Sequence, residues 1–230
     1  KIIKEDFLEK LKLDTAVYNL AFGGYVSRQQ MISLILHIDK IKPDLVISID
    51  GANDIIHSLR QEKHGNFLLN ETYSILLTKP YFGPVIWLLQ NSQFYNSLVR
   101  YFDRKKIYNF EDKKLFLENY VNTLSKIKLI AESYGSQFIH VLQPHIEFKN
   151  LKSPKEKLFT HYDYRKNFVI ESYNFISKRL ININYNNKCN FIDGRLLFQD
   201  FDERIFSDDV HFYNNDGYKI ILDKIIKCIN

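Results

Sequence analysis

The chain has 230 residues, 45% of them hydrophobic and 26% charged, which is the profile of a folded chain and excludes a disordered one. Its 32 basic and 27 acidic side chains leave a formal charge of +5 that is spread along the sequence, with no basic block of the kind that marks a nucleic-acid-binding face. No apolar run reaches the roughly 18 residues that a membrane-spanning helix needs, and the most hydrophobic stretch, residues 81–89 around Trp87, is too short.

Residues 16–21, Ala-Val-Tyr-Asn-Leu-Ala, predict a strand that ends at the Gly23-Gly24 turn. Residues 29–41 follow as a helix, with Met31, Leu34, Ile35 and Ile38 at helical spacing, and Pro43-Asp44 breaks it. Leu45-Val46-Ile47-Ser48-Ile49 is a β-branched run of the kind buried on both faces of a parallel sheet. The pattern loosens over residues 57–110, where Pro80, Gly83, Pro84 and several aromatics predict a helical, aromatic-rich insertion, a candidate lid. Residues 111–134 predict a long amphipathic helix closed by Gly135, and residues 138–142 a strand that ends at Gln143-Pro144-His145. A helix over 161–180, a short strand over 191–193 and a last helix over 215–229 complete one domain spanning residues 1–230.

Alternating strands and helices predict an α/β fold with a mainly parallel sheet and helices on both faces. Ligands of such sheets bind at the carboxyl ends of the strands. The loops at Gly23-Gly24, Gly51-Asp54, Gln143-His145 and after Asp193 leave those ends, and the loop holding His211 precedes the last helix and can reach the same rim. The two cysteines, Cys189 and Cys228, lie far apart without metal-ligand spacing, so two thiols are expected rather than a bridge, and no metal site.

Three stretches carry chemistry. In Asp208-Asp209-Val210-His211, an aspartate three residues before a histidine can fix the imidazole tautomer while the other ring nitrogen serves as a base. The same four residues can also be a polar loop in which Asp208 caps a turn. In Gly51-Ala52-Asn53-Asp54, Asn53 at a strand end can aim its amide at an oxyanion, or can cap the following helix as an Asx turn. In Gly23-Gly24-Tyr25-Val26-Ser27, backbone N–H groups at a strand-to-helix turn can receive an anion, and Ser27 is placed to cap the helix.

Together, N-L-A-F-G-G-Y-V-S, D-L-V-I-S-I-D-G-A-N-D and D-D-V-H-F-Y-N-N-D-G-Y-K-I-I resemble the second, third and fifth conserved blocks of the SGNH (GDSL-type) hydrolase superfamily, in the same order. The resemblance spans residues 16–226 apart from the middle insertion, and Ala21 departs from it where glycine is common. It implies a flavodoxin-like three-layer α/β/α fold and serine-type ester hydrolysis or O-acyl transfer through an acyl-enzyme. His211 would be the base, Asp208 its orienting acid, and the Gly24 N–H and Asn53 amide the oxyanion donors. Bacterial members with large insertions act on O-acetyl groups of surface glycans, so a small-molecule or glycan ester is the expected substrate, with no cofactor, metal or nucleic acid.

The nucleophile is the exception. The family carries it in a Gly-Asp-Ser block on a first, central strand, and no Gly-Asp-Ser occurs among the 230 residues. Ser27, Ser48 and Ser207 are weaker substitutes, so the serine-bearing strand is expected upstream of Lys1 and these 230 residues alone are expected to be inactive. That segment is also where an export signal or membrane anchor is expected. The competing reading is a non-catalytic binding or scaffolding domain of the same fold that has lost its nucleophile. A nucleotide-binding module lacks its glycine fingerprint here.

Overall fold

A computed structural model describes residues 16–60, 110–160, 163–182 and 190–229. In chain order it contains α1 (Ser27–Ile41), β1 (Leu45–Asp50), α2 (Ala52–Arg60), α3 (Phe110–Ser133), β2 (Gln137–Leu142), α4 (Asp163–Asn182), β3 (Phe191–Asp193) and α5 (Asn215–Ile229), with short 3-10 turns at Ile146–Phe148, Glu156–Phe159 and Gly194–Leu196. The strands form a parallel sheet in the order β1-β2-β3, with Leu45 opposite Gln137 and His140 opposite Phe191. This is an α/β fold. The expected insertion lies almost wholly outside the described residues; of its described residues, 57–60 continue α2 and Phe110 opens α3.

Strand alternation sends Phe138 and Leu142 to one face of the sheet and Ile139 and Val141 to the other, and each face has its own apolar layer. On the first face, Leu34 and Ile38 of α1, a stripe of α3 from Leu117 to Ala131, and Phe168, Tyr173 and Ile176 of α4 close over β2. On the second face, Ile221, Leu222 and Ile225 of α5 cover Ile139, Val141 and Ile192. α1 ends at Lys42, whose φ of 47° takes the chain out of the helix just before Pro43.

Three expectations need correction. Residues 16–21 form no strand; they run as largely exposed coil, because no ladder lies beside them among the described residues to complete their backbone hydrogen bonds. β1 is not buried on both faces: Ile47 is 36% and Ile49 41% exposed, on the same face of the strand. With β2 on one side, the other edge of β1 has no strand beside it among the described residues. Ser27 is not the cap of α1 but its first helical residue; Val26 holds the cap position, and the Gln29 side chain accepts from the Val26 N–H at 3.0 Å.

Candidate functional site

The carboxyl ends of the strands are stitched into one rim. After β2, Gln143 donates its N–H to Asp50 O at the end of β1 (2.8 Å), and Ile146 donates to Asp209 O of the last loop (2.9 Å). After β3, Gly194 fits against the Leu142 carbonyl and Pro144 so closely that any Cβ would overlap them. Gly51 has a φ of +116° and packs where a Cβ would lie 2.7 Å from Leu142 Cδ1 and 3.0 Å from the Tyr120 hydroxyl. Both glycines let loops cross the strand ends without a gap.

Asp208 and His211 meet within their own loop. His211 Nδ1 lies 2.7 Å from Asp208 Oδ2, while Asp208 Oδ1 accepts from the N–H groups of Val210 (2.9 Å) and His211 (2.7 Å). The carboxylate therefore shapes the turn and orients the ring at once. Nδ1 facing the carboxylate leaves Nε2 turned away from it, on a side chain that is 67% exposed. The loop is closed behind by Ser207 N–H to His211 O (2.8 Å), by a bridge between Phe206 and Phe212, and by Tyr213 N–H to Ile205 O (2.7 Å).

The base of that loop is anchored inside the protein. Glu156 is completely buried and binds Lys149 Nζ through both oxygens (3.0 and 2.8 Å). It also accepts from the N–H groups of Ile205 (3.0 Å), Phe206 (3.1 Å) and Ser153 (2.8 Å). Burial alone would push its pKa up, but Lys149 and the N–H donors outweigh burial and hold it at about 2. Lys149 Nζ also donates to Glu203 O.

Gly24 and Asn53 are brought together on the other side of the rim. Gly24 is exposed in a turn closed by Tyr25 N–H to Phe22 O, and Asn53 Nδ2 donates to Tyr25 O at 2.9 Å. One amide hydrogen of Asn53 thus fastens the turn. No hydrogen bond or ion pair joins Gly24 or Asn53 to Asp208 or His211; the two pairs share the rim through β1 and β2.

Beneath the Gly51 turn lies a buried cluster that the sequence reading missed. The Tyr120 hydroxyl donates to Asp50 Oδ1 at 2.5 Å, and the Ser48 hydroxyl donates to the other Asp50 oxygen. Because the one hydrogen of Tyr120 is spent on Asp50, its oxygen accepts from His140 Nε2 at 3.2 Å, which assigns the ring its tautomer. His140 is fully buried against Phe191, and burial lowers its pKa against the pull of Asp50, so the ring is neutral. Burial, and then the charges of Asp50 and Asp54, push the Tyr120 phenol well above its ordinary range. Asp54 accepts from Ser27 twice, N–H to Oδ2 (3.0 Å) and Oγ–H to Oδ1 (2.7 Å). Burial, then the nearby Asp50 charge, raise Asp54 to about 7 despite those bonds. A readable signal did exist: two carboxylates four residues apart, Asp50 and Asp54, astride a glycine at the end of an apolar strand.

The serines considered as substitute nucleophiles are all engaged elsewhere. Ser27 and Ser48 are buried on Asp54 and Asp50, and Ser207 Oγ donates to His211 O. Among the described residues no group of three or more His, Cys, Asp or Glu side chains is arranged to hold a metal, and no helix is long and apolar enough to cross a membrane. No known family model matches the chain, and no curated protein matches it.

Proposed function

We propose that the rim is the base-and-oxyanion half of a serine-type ester hydrolase or O-acyltransferase of the SGNH kind, on a flavodoxin-like three-layer α/β/α domain. The observation that carries this reading is the Asp208–His211 pair, with Nδ1 on the carboxylate at 2.7 Å on an exposed ring beside the strand ends. A ring held in that way takes the proton of a hydroxyl nucleophile through Nε2 and returns it to the leaving alcohol, while Asp208 stabilises the imidazolium between the two steps. The Gly24 N–H and the second amide hydrogen of Asn53 are suited to the oxyanion, where one such donor contributes roughly 3 kcal/mol.

In this proposal the serine arrives on a strand that pairs with the outer edge of β1. Exposed Ile47 and Ile49 offer that strand an apolar face, and the edge offers it backbone partners. Each backbone group left unpaired in a buried ladder costs about 1–3 kcal/mol, so the edge has a strong appetite for a partner. The substrate class proposed is an O-acetylated carbohydrate or a similar small ester, by resemblance alone.

The engagement of one Asn53 hydrogen with Tyr25 O favours a second reading, a non-catalytic binding domain in which Asn53 only fastens the turn. A fluorophosphonate probe, followed by peptide mapping on protein purified from its natural source, separates the two. The expected label sits on a serine outside the described residues and disappears in His211→Ala. Labelling of Ser27, Ser48 or Ser207, or no labelling at all, overturns the hydrolase reading.

A further inference from the structure

The Gly24 turn is held to the rest of the rim by a small set of hydrogen bonds, and most of them end on one residue. Asn53 supplies a single bond to Tyr25 O, whereas Asp54 grips both the N–H and the hydroxyl of Ser27, at the point where the turn becomes α1. These are buried bonds between segments 27 residues apart, so local chain geometry does not enforce them.

We propose that Asp54 is a positioning residue, a proton-responsive latch that holds the Gly23–Ser27 turn against the end of β1. Its meaning for catalysis rests on the hydrolase reading; the latch itself does not.

The argument starts from what surrounds the carboxyl. Asp50 faces it from β1 and Tyr120 from α3, and His140 of β2 stands behind Tyr120. Arg28 of α1 lines the same small recess, together with Asn119 and Thr123, and Asp54 itself is only 7% exposed. Solvent therefore screens a charge on Asp54 poorly while the latch is shut. Opening the turn exposes the carboxyl to water, where ionisation costs little.

The sign follows by linkage. In the shut state Asp54 titrates at about 7, above its ordinary value of 3.8. The proton is held more tightly when shut, so the neutral acid favours the shut state and ionisation favours opening. Protonation does not break the tether. The Ser27 N–H stays on Oδ2, and the acid hydrogen on Oδ1 donates to Ser27 Oγ, releasing the serine hydrogen to another acceptor. Between the ordinary value of 3.8 and the shut-state value of about 7, the opening equilibrium of the turn shifts by up to about tenfold per pH unit, and it levels off above 7.

The test is amide NMR on the chain itself, with no substrate. The Gly24 and Ser27 amide shifts are expected to titrate with a midpoint near neutral pH. Ser27 exchange protection is expected to fall by up to about tenfold between pH 6 and 8 beyond the normal base-catalysed trend, while core Leu124 follows that trend. Asp54→Asn is expected to flatten the Ser27 profile. Ser27→Ala, which removes one bond that favours the carboxylate and disturbs the fold least, is expected to move the midpoint of the Gly24 shift upward. Flat wild-type shifts from pH 5.5 to 8.5, an unchanged profile in Asp54→Asn, or an unmoved midpoint in Ser27→Ala overturns the latch. None of these outcomes bears on fluorophosphonate labelling, so the latch and the hydrolase reading fail separately.

Discussion

His211 stands 67% exposed with Nδ1 on Asp208, whereas His140 is fully buried with Nε2 on Tyr120 and Asp50 next in line. Both arrangements join a histidine to a carboxylate within one α/β fold, yet water separates their uses. The exposed ring can be reached and keeps a nitrogen free of the carboxylate, which a base requires. The buried ring is desolvated and hydrogen-bonded to a phenol that no solvent reaches, so its contribution is to fix the end of β1. A histidine beside an aspartate is therefore a catalytic candidate only where solvent and substrate can find it.

The largest expected effect comes from removing what anchors the exposed pair. Glu156→Ala leaves the Lys149 ammonium buried and strips acceptors from Ile205 and Phe206, at the base of the His211 loop. A loss of about 3–5 kcal/mol is expected in urea unfolding, and a Lys149→Met/Glu156→Leu double variant should recover much of it. A loss below about 1 kcal/mol would show that the loop stands without its anchor. Since Glu156 is held at about 2 against an ordinary 4.5, its contribution is complete above pH 4.5 and is lost as pH falls toward 2.

The second effect lies in the buried cluster and has the opposite sign. Asp54 is raised from 3.8 to about 7, so its stabilising share is present at low pH and is lost as pH rises through 7. Comparing wild type with Asp54→Asn cancels the contribution of His140, which runs the other way below its ordinary 6.5. The stability of wild type relative to the variant should fall by about 2–3 kcal/mol between pH 5 and pH 8. A constant difference across that range would mean that the carboxyl is not desolvated in solution.

Much of this was legible in the sequence where patterns are local. The apolar periods gave α1, α3, α5 and the cores of β1 and β2 within a few residues, and Asp208 with His211 could be paired because His211 follows it by only three positions in one loop. The strand expected at residues 16–21 failed because a strand is a property of two segments, and no strand lies beside it among the described residues. Burial of β1 failed for the same reason, leaving Ile47 and Ile49 bare. Of the cluster of Asp50, Asp54, Tyr120 and His140, only the Asp50–Asp54 spacing was readable; Tyr120 lies 70 residues from Asp50 and meets it only once α3 packs on the sheet. The Ser27 hydroxyl was assigned to its own helix by a local rule, and a longer-range acceptor claimed it.

The smallest expected effect on stability, and the sharpest on chemistry, is at His211. Its ring touches Asp208 and little else, so His211→Ala should change unfolding free energy by no more than about 0.5 kcal/mol, the usual limit for an exposed side chain. The same substitution should lower p-nitrophenyl acetate hydrolysis by roughly 100-fold or more in protein that carries the labelled serine, because a general base is worth about that much. Asp208→Asn should cost less activity than His211→Ala while loosening the turn, since Asp208 also accepts from the N–H groups of Val210 and His211. Turnover near wild type in His211→Ala would return the exposed pair to the status of a polar loop. A large loss of stability instead would make His211 a structural residue like His140, and the contrast between the two histidines would dissolve.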